Sequence, residues 1–288
     1  MTTIHTPADF NQAVSAALSG AAPTPKRRDT KAGRFYEIDE GVLVPSVTHV
    51  LSCIGKPALI NWAANTERAL VVDAAADLYL DLAKTPPMGR MAYVATLNGR
   101  IGKAKAHQRE LAKAAEIGRQ AHALIEWHVR RSLGQTVGPE PRVVDAALWS
   151  FMAFTDWAGS VGLKPLAIEQ TVFSKTHGYA GTMDLLAEVN GVKTLVDFKT
   201  SKAIYAEAHL QTTAYRVALN EMGHGPVNDA LILRLPKLQT DPAFEVQASP
   251  AIDVLFPTFL AVLQVWKWWF AEEQRSKAAW QAKRDKVA

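Results

Sequence analysis

The sequence predicts an α/β fold, a mixed sheet flanked by helices. Three observations predict it. In 179–202, YAGTMDLLAEVNGVKTLVDFKTSK, Leu185, Ala187 and Val189 alternate with Asp184, Leu186 and Glu188. Asn190-Gly191 then supplies the positive-φ pair of a two-residue hairpin turn, and 193–199 returns as a second strand. A strand-like run over 166–174, with Ile168, Val172 and Phe173, precedes the hairpin. A helical pattern over 206–222 follows it, then strand patterns over 229–235 and 244–246. Helix–strand–strand–strand–helix–strand, with a right-handed crossover through 206–222, is an α/β sandwich.

The remaining elements follow in order. Thr6-Pro7-Ala8-Asp9 is a helix start, Phe10, Val14 and Leu18 recur at helical spacing, and Gly20 ends that helix. Residues 21–33 are rich in Pro, Ala and Lys/Arg without an apolar period and read as a flexible loop. Residues 34–44 read as a hairpin turning at Asp39-Glu40-Gly41. Ser46 caps a helix carrying Val50, Leu51 and Ile54 that stops at Gly55. Pro57 starts a helix running to 82, which Thr85-Pro-Pro-Met-Gly89 breaks. Further helices are expected over 108–132 and 141–161. A C-terminal helix begins near Pro250 or Pro257 and runs towards 286; Trp266, Trp269 and Phe270 suit core packing there, and Trp268 lies off their stripe.

The chain has 288 residues, 48% hydrophobic and 21% charged, an ordinary globular composition. A chain of this length buries about 75% of its unfolded surface. A net charge of +4 is compatible with a polyanionic partner. Cys53 is the only cysteine, which excludes an intrachain disulfide framework and a cysteine-rich zinc or iron–sulfur site. No basic segment followed by an apolar run opens the sequence, and the apolar stretch 254–265 suits a core helix better than a membrane span. A cytoplasmic protein without membrane association is expected.

Chemistry concentrates in the hairpin. Residues two apart on a strand share a face, so Asp197 and Lys199 point one way and Val196 and Phe198 the other. Asp184, on the neighbouring strand, can reach the same sheet edge. Two carboxylates and a lysine at one strand end suit a hexacoordinate cation such as Mg²⁺ or Mn²⁺. The alternative is a surface hairpin with ordinary charges on its wet face.

Gly181-Thr-Met-Asp184, Asp197-Phe-Lys199-Thr-Ser, Gln211-x-x-x-Tyr215, Gly118-Arg-Gln-Ala-His122 and Pro45-Ser-Val-Thr48 with Leu59 and Trp62 stand in this chain. Together, over roughly 43–220, they resemble the PD-(D/E)xK nuclease superfamily, most closely its RecB-like and phage-type exonuclease branch without an iron–sulfur cluster. The resemblance implies a restriction-endonuclease-like core, central mixed sheet between helices, with a large N-terminal helical region. It divides the chain into a helical part, 1–164, and a nuclease core, 165–288, within one structural unit. It implies Asp184, Asp197, Lys199, Gln211 and Tyr215 as catalytic residues. The metal ligands it implies are Asp184, Asp197, the Phe198 carbonyl and His122. Glu169 is either a further ligand or Lys199 partner, or an exposed strand residue without a role. Lys199 is expected to act electrostatically, because neighbouring carboxylates raise the pKa of a lysine. Met183 stands where the pattern has proline, and Asp197 where many members carry glutamate.

Seven Lys/Arg lie between 90 and 119, with 98–105 as the basic, flexible part. Arg100, Lys103, Lys105 and Arg119, with Ser46, Thr48, Thr200 and Ser201, are the candidate nucleic-acid contacts. The expected activity is metal-dependent DNA exonuclease action on single-stranded or processed ends, in recombination, repair or phage DNA metabolism. Its rivals are a structure-selective endonuclease and a DNA-end scaffold for a recombination or helicase partner.

Overall fold

The computed structural model describes residues 25–83, 87–241 and 243–285. The helix expected over 6–20 lies outside them. The chain forms two compact units, Met1–Ile54 with Gln120–Ala288, and Gly55–Arg119. These divisions fall elsewhere than the expected boundary at 164/165.

The larger unit holds two sheets. The first is antiparallel, in the order β1 (Lys26–Thr30), β2 (Gly33–Asp39), β3 (Val42–Pro45). β1 corrects the expectation of a loop at 26–30, within the stretch 21–33. The strand has no apolar period because it is an exposed edge strand, and it pairs through charges. Arg28 donates to Glu37 across the ladder and Arg34 to Asp29. The expected hairpin at Asp39-Glu40-Gly41 joins β2 to β3, with Gly41 at φ 72°. Ser46 then caps α1 (Val47–Leu51) by accepting from the His49 N–H.

The second sheet runs β4 (Lys164–Ser174), β5 (Tyr179–Val189), β6 (Val192–Lys199), β7 (Asp229–Arg234), β8 (Glu245–Ala248), in that spatial order. β4, β5 and β6 are antiparallel, β6 and β7 are parallel, and β8 returns antiparallel, so the sheet is mixed. The parallel pair is joined through helix α6 (Ala206–Glu221), as a parallel crossover requires. Asn190 (φ 51°) and Gly191 (φ 81°) make the tight β5–β6 turn.

Helices cover both faces of this sheet. On one face, α1, α6 and α7 (Ile252–Asp285) bury Val47, Val50, Ala214, Ala218, Phe259 and Leu263 against Leu186 and Leu195. On the other, α5 (Asp145–Ser160) and the later part of α4 (Ala106–Ser132) bury Phe154, Trp157, Ile125 and Val129 against Leu185, Val196 and Phe198. β5 and β6 are therefore apolar on both faces, and a polar group on either strand needs a reason. α7 by length and composition could cross a membrane, but its Phe259, Leu263 and Trp266 are buried in the core. Trp269, expected in that core, is 57% exposed. Trp266 and Phe270, four apart, stack at 5.0 Å, and position 269 lies off their stripe.

The smaller unit comprises α2 (Pro57–Leu82), α3 (Arg90–Ile101) and α4 up to Arg119. α2 has the expected limits, with Pro57 at its first turn. The stretch 98–105 is not wholly flexible. Asn98 to Ile101 continue α3, and Gly102, at φ 74°, closes the helix by donating to the Asn98 carbonyl.

Candidate active site

The site begins where two strands part. β5 and β6 pair from Val189↔Val192 up to Leu185↔Val196, and there the ladder stops. β6 continues against β7 through Asp197↔Ile232 and Lys199↔Arg234. The outer half of β5, from Tyr179 to Asp184, keeps only β4 as its ladder partner in this sheet. At the fork Asp184 replaces the missing ladder bond with its side chain: its Oδ2 accepts from the Phe198 N–H at 2.7 Å. The carboxylate is thereby fixed at the mouth of the fork.

β4 is distorted at the same level. Ladder pairs form at Ile168↔Leu185 and Gln170↔Met183, and Glu169 between them adopts φ 47°. A left-handed glutamate inside a strand is a strained conformation of the kind found at functional sites. It leaves the Glu169 carboxylate 3.6 Å from His122 Nδ1. His122 comes from α4, which buries Ala121, Leu124 and Ile125 around it. Its Nδ1 is 3.7 Å from Asp184 Oδ1, and its ring stands edge-on to Phe198 at 5.7 Å.

His122, Glu169 and Asp184 each offer a ligand atom, and the three atoms lie within 4.8 Å of one another. Asp197 stands outside that cluster of three. Its carboxylate is 1% exposed, with Lys199 Nζ 2.5 Å from Oδ2 and no hydrogen-bond partner for Oδ1 among the described residues. A buried carboxylate oxygen without a donor is costly, and a cation satisfies it. Oxygen donors with one imidazole suit a hard or borderline divalent ion, so these residues fit a divalent metal.

The lysine is held from two sides. As expected from their spacing, Asp197 and Lys199 share a face of β6, with Val196 and Phe198 in the opposite layer. Lys199 Nζ donates to Gln211 Oε1 at 3.2 Å, and Gln211 Nε2 donates to Tyr215 Oη at 3.4 Å. Gln211 and Tyr215, four apart on α6, present one helix face to the sheet. The Tyr215 ring lies on Gly181, where a Cβ would come within 2.5 Å of its Cε1.

Charge and burial set the protonation states. Burial alone pushes His122 down, but Asp184 and Glu169 outweigh it and hold the ring at about 9. Burial raises Asp184 above the usual carboxylate range against the pull of His122 and Lys199. Burial likewise lifts Asp197 to about 6, although Lys199 opposes it. Burial would lower Lys199, but Asp197 and Asp184 prevail and keep it above the ordinary lysine value. The ammonium therefore stays charged, as expected for an electrostatic role.

The candidate nucleic-acid contacts belong to both units. Ser46 is buried at 1% and committed to its helix cap, and Thr48 shares a 3.1 Å hydrogen bond with it. Ser201 donates to the Ala203 carbonyl, and Thr200 is half-buried. In the smaller unit, Arg100 pairs with Asp81 at 2.5 Å and Arg119 with Glu116, while Lys103 and Lys105 are exposed. Sequence reasoning missed Tyr36, whose hydroxyl shares a 2.9 Å hydrogen bond with Thr182 Oγ1, two residues from Asp184. No local signal marks that contact, because 146 residues separate its partners.

Solved structures similar to this chain include an alkaline exonuclease, LHK-Exo, from Laribacter hongkongensis. It is 14% identical over 65% of this chain and 89% of its own, with a TM-score of 0.36. The same enzyme in complex with dAMP matches at 14% identity over 65% of this chain and 90% of its own, with a TM-score of 0.35. No curated protein matches. The model of the PD-(D/E)XK nuclease superfamily matches residues 90–285, which contain His122, Glu169, Asp184, Asp197, Lys199, Gln211 and Tyr215. The chain belongs to the PD-(D/E)XK nuclease superfamily.

Proposed function

We propose that this nuclease is a divalent-metal-dependent DNA exonuclease that works from single-stranded or processed ends in recombination, repair or phage DNA metabolism. One observation carries the reading: at a strand fork, three side chains that could hold a cation lie beside a buried carboxylate, Asp197, paired with a lysine that is kept charged. Binding alone needs no such arrangement, which weighs against a scaffold.

Asp184, Glu169 and His122, with Asp197 and the Phe198 carbonyl, would hold the cation. Mg²⁺ or Mn²⁺ there supplies a charge clamp on the scissile phosphate and a more acidic water. Lys199 presents its ammonium beside Asp197 and stabilises negative charge as it grows on the phosphate oxygens. Gln211 fixes the direction of that ammonium, and Tyr215 fixes Gln211. His122 must be neutral to act as a ligand, so loading the site expels a proton.

Linear and covalently closed circular single strands, each incubated with Mg²⁺ or Mn²⁺, test the proposal. Loss of the linear substrate alone is the expected result. Loss of both identifies an endonuclease, and a gel shift of both without cleavage identifies a scaffold.

A further inference from the structure

The outer half of β5 carries the acid of the site, yet it has lost its β6 partner. What steadies it instead is the small sheet β1–β3, which lies before residue 90 and therefore outside the family match. Three contacts join this sheet to the strand and its turn. Ser46, just after β3, makes a parallel bridge to Ala180. Lys175 Nζ donates to Asp39 Oδ2 at 2.8 Å. Tyr36, 1% exposed among Ile38, Val44, Phe173 and Ala180, shares the 2.9 Å hydrogen bond with Thr182 Oγ1.

Only the last of these falls next to the chemistry. Thr182 and Asp184 are two apart on β5, joined through the buried Met183, so a backbone shift at one is carried to the other. The hydroxyl–hydroxyl bond is part-buried, and breaking it leaves one hydroxyl without its partner. The Tyr36 ring is held by apolar packing whether or not the hydroxyl is present. The hydroxyl is thus an addition to a ring already anchored.

We propose that Tyr36 is a positioning residue: through Thr182 it holds Asp184 in register with Glu169 and His122 at the fork. The inference rests on the nuclease reading and adds to it a residue outside the segment that carries the family motifs.

Tyr36→Phe, Thr182→Val, the double variant and Thr182→Ser test it. Three readouts apply: Mn²⁺ titration by calorimetry without DNA, steady-state cleavage of a linear single strand, and thermal melting. Each single variant is expected to lower kcat about tenfold and weaken Mn²⁺ binding about fivefold. KM for DNA should stay within about twofold and the melting temperature within about 2 °C. Because the two hydroxyls act as one unit, the double variant should be no worse than either single, and Thr182→Ser should behave as wild type. Wild-type Mn²⁺ affinity and kcat in Tyr36→Phe and Thr182→Val overturn the proposal. So do multiplicative losses in the double variant, or losses that track melting temperature across the set. If the wild-type protein neither binds Mn²⁺ nor cuts, the nuclease reading fails first and this inference with it.

Discussion

The two halves of β5 are one strand under different rules. The inner half, Leu185 to Val189, pairs with β4 and β6 and sends Leu185, Ala187 and Val189 into one core layer and Leu186 into the other. The outer half, Tyr179 to Asp184, gives up β6, places Gly181 where a side chain would be expected, and ends in a half-buried acid. The inner half is built for stability and the outer half for an opening. The site is made by withholding a ladder: where pairing stops, space and an unsatisfied peptide N–H appear, and Asp184 takes both.

That contrast can be broken by mutation. Lys199→Ala at the fork should lower cleavage about 10³-fold while leaving DNA affinity in a fluorescence anisotropy assay within about threefold, since the ammonium acts on charge that develops during reaction. A variant that cuts at the wild-type rate removes the lysine from the mechanism. Leu185→Ala, one residue inside the ladder, should do the opposite. The side chain is fully buried, so urea unfolding should show a loss of about 2–5 kcal/mol, with kcat per folded molecule little changed. If Leu185→Ala instead costs activity without stability, the two halves are not separable.

The comparison sharpens through pH. Below about 9 the metal-free His122 carries a proton that a cation must displace. Its folded value is raised, so the neutral ligand form grows as pH rises and saturates above about 9. Mn²⁺ affinity measured between pH 6 and 8 should climb with a slope of about one decade per pH unit from this histidine. Calorimetry in buffers of different ionisation enthalpy should detect the released proton. An affinity that does not change over that range removes His122 from the ligand set.

Much of this was readable from local spacing. Asn190-Gly191 announces the hairpin, and i, i+2 and i, i+4 relations fix which faces hold Asp197, Lys199, Gln211 and Tyr215. Pro57 marks the start of α2. Such features depend on a few neighbouring residues. Asp184 was legible as a carboxylate near the edge of Asp197, but the fork was not, because nothing local marks where the β5–β6 ladder ends. Glu169 carries no signature of its left-handed backbone, since glutamate is not a residue that prefers it. β1 escaped because its ladder is held by cross-strand charges and has no apolar alternation. Ser46 illustrates the converse: its capping role was legible, whereas the burial of the same residue was not.

Gly181 makes the position of Lys199 depend on a hydrogen atom. The space a methyl group would fill is already taken by the Tyr215 ring, whose hydroxyl steadies Gln211 and, through it, Lys199. An alanine here would therefore act at a distance, tilting an aromatic side chain and letting the ammonium drift while Asp184, Asp197, Glu169 and His122 stayed in place. A screen for inactive variants would score the position as if it did chemistry, although a glycine has nothing to react with.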